Sequence, residues 1–324
     1  MEVINYGRSL NNALADAMAD DSRVVVMGED IGAAGGPFGV TRGLLDKFGS
    51  ERVIDTPISE AAIVGAATGA AMSGLKPVVE IMFMDFSTLA MDAIVNQAAK
   101  AHFMFGGQRP VPMVVRTPHG GGLNAGPQHS QCLEAWFAHV PGLKVVCPSS
   151  ASNAYGLLRA AIDDPNPVIF VEHKGLYAKK AEVENSQSCQ LIGKAALARV
   201  GTDATIVSYG AAVSTALEAA DLLAVKGIEV EIVDLQSIQP WDRDAVLDSV
   251  KKTNRLVIAH EAVEAFGVGA EVAATIADIG FEHLDAPIVR VGAAFMPVPF
   301  AASLESGYSP NASDIERAVK RTLY

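Results

Sequence analysis

Three stretches of this 324-residue chain carry residues able to do chemistry. The first is Val53 to Gly74, VIDTPISEAAIVGAATGAAMSG, where Glu60 stands ahead of a helical run with no charge from Ala61 onward. Such a carboxylate has two readings. It is either a helix-terminal acid interacting with the dipole for less than ~1 kcal/mol, or a buried acid that works on a ligand. Thr56 or Ser59 is expected to cap the first turn, with Pro57 just inside it. The second stretch is PHGGGLNAGPQHSQ, residues 118 to 131. Its Gly triplet lets backbone approach a ligand, and His129 adds an imidazole, a side-chain type suited to proton transfer. The third is the loop Gly32 to Gly39, with Gly at 32, 35, 36 and 39. Its spacing matches neither GxGxxG nor the P-loop, so a plain mobile loop competes with a phosphate cradle.

Other chemistries lose ground on spacing. His119-Gly-Gly-Gly looks like an esterase oxyanion hole, but no GxSxG nucleophile elbow accompanies it. Cys132 near His129 reads as core rather than as a thiol nucleophile. Gly267-Val-Gly269 half-matches a dinucleotide fingerprint and reads as tight packing, since the third position is Val272. The cysteines 132, 147 and 189 form no CxxC pair, and no HxxH or HExxH occurs, so neither a disulfide framework nor a transition-metal site is expected.

The elements that must position these residues follow from periodicity. Apolar runs such as RVVVM (23–27), KPVVEIMF (76–83), PMVVR (112–116), LKVVC (143–147) and PVIFVE (167–172) alternate with helical stretches. The helices include Ile4 to Ala19, Phe86 to Phe105 and Ser152 to Asp163. Strands alternating with helices predict βαβ units and a parallel sheet. Residues 176 to 201 read as a linker. The alternation then restarts with strands at 204–208, 228–234, 255–260 and 288–291, which predicts two α/β, doubly wound domains at 1–185 and 186–324. Open parallel sheets bind ligands beyond the carboxyl ends of their strands. Those ends carry Glu29, Glu60 and the loop leading to His129.

Composition sets outer bounds. Half of the residues are hydrophobic and 19% charged, with a mean hydropathy of +0.25. That surplus of apolar residues suits extensive subunit contact. A net charge of −12 argues against nucleic acid, which needs basic surface. No apolar run reaches about 18 residues, so no membrane span is expected. The first residues lack a signal pattern, and a cytoplasmic protein is the expectation. The residues alone read as a two-domain α/β enzyme with half of an active site.

Seven motifs carry a resemblance: MGED (27–30), GGPFGVTRGL (35–44), RVIDTPISEAAIVGAATGAAMSGLKPVVE (52–80), NQAAK (96–100), QHSQ (128–131), PGLKVVCPSS (141–150) and NPVIFVEHK (166–174). Together they resemble the beta subunit of the thiamine-diphosphate-dependent dehydrogenase component of 2-oxoacid dehydrogenase complexes. Pyruvate, branched-chain and acetoin dehydrogenases belong to that family, and the resemblance runs to Pro297-Val-Pro-Phe300. It implies a pyrimidine-binding domain followed by a transketolase C-terminal-like domain. It also implies oxidative decarboxylation of a 2-oxo acid, most simply pyruvate, with acyl transfer to a lipoyl carrier. The family's diphosphate and Mg²⁺ are held by a GDG-containing alpha subunit, and this chain has no GDG. A heterotetramer of two alpha and two beta chains is therefore implied, docked to a lipoyl acyltransferase core through acidic surface.

By position, the resemblance makes Glu60 the acid that hydrogen-bonds N1′ of the aminopyrimidine, with Ile58 and Phe86 contacting that ring. It makes His129 the acid/base of lipoyl acylation. Met113, Ala161, Ile162, Asp164 and Asn166 match a potassium site of some members. Glu29 and Asp92 match acids of a proton path between two active sites, a path interrupted here by Leu89.

Overall fold

The computed structural model describes residues 2–183 and 190–323. The expected boundary at 185/186 and Cys189 lie outside them. The chain divides into two compact units, Met1–His119 with Trp136–Ile192, and Gly120–Ala135 with Gly193–Tyr324. Among the described residues, no helix is long and apolar enough to cross a membrane.

In the first unit, β1 (Glu2–Asn5) leads into α1 (Tyr6–Asp20), capped by Asn5, whose side chain accepts from Arg8 N–H. Strand β2 (Val24–Gly28), α2 (Leu44–Phe48), β3 (Val53–Asp55), α3 (Glu60–Met72) and β4 (Lys76–Glu80) follow. The long helix expected over 86–105 is broken. A 3₁₀ segment (Met84–Ala90) and a π-helical segment (Ala93–Ala98) precede α4 (Ala99–Met104). Apolar periodicity there is real, but it does not distinguish i−3, i−4 and i−5 hydrogen bonding. Next come β5 (Val114–His119), the one-turn α5 (Glu134–Ala138), β6 (Lys144–Val146), α6 (Ala151–Asp163), β7 (Val168–His173) and β8 (Lys180–Val183). Six strands pair in parallel in the order β6-β7-β5-β4-β2-β3, and β1 pairs antiparallel with β8. Strands buried on both faces read as continuous apolar runs, which is why they were legible.

Three charges interrupt those runs on three neighbouring strands. Arg116 on β5, 1% exposed, donates through Nε and Nη2 to Glu172 on β7 at 2.7 and 2.8 Å. Its Nη1 donates to Glu80 on β4 at 2.6 Å, and the Tyr177 hydroxyl donates to Glu172 at 2.6 Å. Burial opposes the charge on Arg116, but the flanking Glu172 and Glu80 carboxylates outweigh it and hold the guanidinium pKa above its usual value. Burial raises the Glu80 carboxyl even so, against the pull of Arg116.

The second unit holds β9 (Ala196–Arg199), β10 (Ala204–Ser208), α7 (Ala212–Ala224), β11 (Val230–Asp234), β12 (Ser237–Gln239), α8 (Arg243–Thr253), β13 (Leu256–Val263), α9 (Val268–Ile279), β14 (Val289–Ala293), α10 (Ala302–Glu305) and α11 (Ala312–Leu323). Its sheet runs β14-β13-β10-β11-β9, parallel except for β9. Helices α7 and α11 close an apolar core over β10, β11 and β13, with Ala216, Leu223, Ile315 and Val319 fully or nearly buried. Helix α8 has matched ends: Asp242 accepts from Ala245 N–H, Lys251 and Lys252 sit in the last turn, and Asn254 is left-handed at φ +59°. A Cβ on Gly269 would come within 2.8 Å of the His260 ring, so that glycine serves close packing.

Replacing Arg116 with Met leaves Glu80 and Glu172 buried without a counter-charge, at a cost of about 3–5 kcal/mol near neutral pH. A carboxyl whose folded pKa exceeds its unfolded value loses stability as pH rises and regains it as pH falls. R116M is therefore expected to gain stability between pH 8 and about pH 5, read as urea midpoints; a pH-independent deficit would refute the assignment.

Candidate active site

Helix α3 shows how the sequence places Glu60. Its buried residues are Ile63, Val64, Ala67, Thr68 and Ala71, spaced three and four apart to form one face. Thr68 returns its hydroxyl to the Val64 carbonyl at 2.8 Å. The expected side-chain caps do not form. Ser59 is the N-cap residue but its side chain makes no cap hydrogen bond, and the buried Thr56 hydroxyl has no partner among the described residues. Backbone closes the turn instead, with Ile63 N–H on the Ser59 carbonyl at 2.9 Å. Glu60, although in the first turn, is only 6% exposed, and no side chain among the described residues donates to its carboxyl.

Glu29 follows β2 directly and is half-buried. Burial raises its carboxyl, and the charges of Glu60 and then Asp30 raise it further. The structure thus brings two predicted acids, Glu29 and Glu60, within electrostatic reach at the strands' carboxyl ends. Ile58, two residues before Glu60, is 83% exposed. Phe86 is half-buried and meets Phe83 edge-on at 5.7 Å.

The Gly32–Gly39 loop is not an open phosphate cradle. Gly32 N–H donates to Asp55 Oδ1 at 2.7 Å, and a Cβ on Gly36 would come within 3.1 Å of Glu80 Oε1. Phe38 stacks on Tyr177 at 4.6 Å. The carboxylates of Asp55 and Glu80 therefore line the place a phosphate would need.

Asp92 is exposed, and its carboxylate accepts from Asn96 Nδ2 at 2.7 Å. Leu89, at the position of the missing path acid, is 63% exposed. The proposed cation ligands Met113, Ala161, Ile162, Asp164 and Asn166 sit just before β5 and around the end of α6. The Met113 carbonyl accepts from Val168 N–H at 2.9 Å, and the Ala161 carbonyl from Asp164 N–H at 3.4 Å. Asp164 pairs with Lys144 and accepts from Asn166 N–H at 2.9 Å.

His129 belongs to the second unit and is half-buried. The Gly triplet before it is not an oxyanion hole. Gly121 N–H donates to Glu261 at 2.6 Å and Gly122 N–H to Glu305 at 2.9 Å, so its amides are already spent. Neither acid was singled out from the sequence, nor was the Arg116 triad. The one available signal was a charge inside an apolar strand, as in VVE, VVR and FVE.

Family models described as transketolase pyrimidine-binding domain and transketolase C-terminal domain match residues 2–180 and 193–315. "Pyruvate dehydrogenase E1 component subunit beta-2, mitochondrial" of Oryza sativa is 49% identical over 320 residues, 98% of this chain and 85% of that protein. The beta subunit of the acetoin:2,6-dichlorophenolindophenol oxidoreductase of Bacillus subtilis is 46% identical, covering 97% of this chain and 95% of its own. A solved structure described as a split gene transketolase, inactive beta4 tetramer, superposes with a TM-score of 0.82 at 24% identity, covering 99% and 98% of the two chains. That last likeness speaks to fold alone.

Proposed function

Since the chain belongs to the family of beta subunits of thiamine-diphosphate-dependent 2-oxoacid dehydrogenases, with transketolase-type pyrimidine-binding and C-terminal domains, we propose that it is the cofactor-activating half of a pyruvate dehydrogenase. It would work with an alpha subunit in a tetramer of two alpha and two beta chains. It would hand an acyl group to a lipoyl acyltransferase core. The observation that carries this reading is Glu60, a buried carboxyl at the head of an uncharged helix with no donor from the described residues.

Glu60 keeps acceptor capacity that no described side chain uses, so it suits a ligand able to hydrogen-bond with a carboxyl. The aminopyrimidine of thiamine diphosphate, through N1′, is such a ligand. When bound, that cofactor supplies the carbanion and electron-sink chemistry. Glu60 would hold the ring and carry a proton at N1′. Its neighbour Glu29, already pushed toward its protonated form, would keep the pair from bearing two full charges. Ile58 and Phe86 would contact the ring from either side of Glu60 in sequence. The diphosphate and Mg²⁺ would be held by the alpha subunit, consistent with carboxylates lining this chain's own glycine loop. The exposed face of α3, formed by Ala61, Ala62, Gly65, Ala66 and Gly69, suits the close backbone approach of a partner subunit.

Glu60→Ala, reconstituted with the alpha chain, is expected to keep its circular-dichroism spectrum and lose about 10²–10⁴-fold in decarboxylation; a loss under about tenfold would reject the role. Acetoin is the second reading, favoured by the Bacillus subtilis relative, and a side-by-side assay of pyruvate and acetoin separates the two.

His129 would act as acid/base when the acyl group passes to lipoyl. In His129→Ala, lipoyl acylation should fall about 10²-fold while decarboxylation read with an artificial electron acceptor falls far less. Equal losses would move the role elsewhere.

The carbonyls of Met113, Ala161 and Ile162, with Asp164 and Asn166, would take potassium through their remaining lone pairs. Binding to the folded state alone raises stability, so the melting temperature should be higher in KCl than in choline chloride at equal ionic strength. No ion-specific difference would remove the site.

A further inference from the structure

The segment 120–135 is tied to the second unit at both of its ends, and acids make the first tie. Gly120, Gly122 and Asn124 have φ of +88°, +91° and +53°. Left-handed residues set among ordinary ones turn neighbouring N–H groups toward a common point, a geometry that holds anions. Here the anions are the protein's own. Gly121 N–H donates to Glu261 Oε1 at 2.6 Å. Gly122 and Asn124 N–H donate to Glu305 Oε1 and Oε2 at 2.9 and 2.7 Å. Glu305 is 6% exposed, and among the described residues no cationic side chain pairs with it. Backbone amides are what compensate its charge.

Beyond this nest, Gly126, with φ +76°, lies against the Phe300 ring, which a Cβ would approach to 2.2 Å. At the far end, the Tyr209 hydroxyl donates to Glu134 Oε1 at 2.8 Å. His129 stands between these ties, its own N–H donating to the Gly126 carbonyl at 3.3 Å.

We propose that Glu305, assisted by Glu261, is a positioning residue for His129: the carboxylates fix the turn at 121–124 and so set where the imidazole is presented. The inference rests on the reading of His129 as the acid/base of lipoyl acylation. A carboxylate is required because both oxygens must accept at once. In Glu305→Gln the amide NH₂ would face one of the two N–H donors, opening that side of the turn.

The test uses the reconstituted alpha–beta enzyme with a lipoyl domain as acceptor. Glu305→Gln should lower kcat for lipoyl acylation about 10- to 100-fold with KM for the domain unchanged, as a small misplacement of a catalytic group does. Decarboxylation with an artificial acceptor should stay within about twofold. In a His129→Ala background, the same substitution should cost nothing further, because groups acting as one unit are not additive. Losses that are equal in both assays, or additive with His129→Ala, would overturn the proposal. His129→Ala on its own reports on the underlying reading, and an unchanged lipoyl rate there would overturn both. Should Glu305→Gln fail to fold, Glu261→Gln takes its place, since its amide oxygen can still accept from Gly121. It should show the same pattern at about 3- to 10-fold, the loss of charge assistance alone, and a wild-type rate would count against the nest.

Discussion

A guanidinium buried between two carboxylates sets the frame of the first unit. Arg116 crosses from β5 to Glu172 on β7 and to Glu80 on β4, so three adjacent strands are locked in one register. The lock extends outward. Tyr177 donates to Glu172, Phe38 stacks on Tyr177, and Gly36 rests against Glu80. The glycine-rich loop is thereby seated on the charge cluster, and Glu29 lies between that loop and β2. Buried ion pairs rarely add net stability over an apolar core. Their value here is geometric, because each bidentate or paired contact has one arrangement that satisfies every donor.

Two kinds of buried acid follow from this frame. Glu172 accepts on both oxygens from Arg116 and Tyr177, and Glu80 accepts from Arg116 through Oε2. Glu60 is comparably buried and engaged by no side chain among the described residues. Burial alone does not distinguish a structural carboxyl from a working one. The partners differ: Arg116 holds Glu80 and Glu172, whereas the acceptors of Glu60 are left to whatever binds there.

Much of the fold was legible because parallel strands buried on both faces are continuous apolar runs: the strand expected at 204–208 is found with those bounds, and the helices expected at 4–19 and 152–163 form at Tyr6–Asp20 and Ala151–Asp163. What was not legible depends on contacts distant in sequence. The 86–105 helix breaks into 3₁₀, π and α segments under tertiary packing that its composition does not encode. The capping role expected of Thr56 or Ser59 went to backbone. Helix α11, with Ile315, Ala318, Val319 and Thr322 buried, was not anticipated, although those positions repeat at helical spacing. Glu80, Arg116 and Glu172 are 36 and 56 residues apart, so nothing local announces that they meet.

The two glycine-rich loops make the same point from the ligand's side. Flexible glycine backbone with exposed amides invites a phosphate reading. In this chain the first loop turns its amide at Gly32 onto Asp55 and rests on Glu80. The second turns the amides of Gly121, Gly122 and Asn124 onto Glu261 and Glu305. A diphosphate entering either would lose those hydrogen bonds and face one or two carboxylates at close range, a repulsion that low local dielectric strengthens. Both loops are therefore anion sites already filled from within. That arrangement suits the proposed division of labour, in which this chain would offer the acid for a pyrimidine ring and a loop presenting a histidine, and another polypeptide would anchor the phosphates.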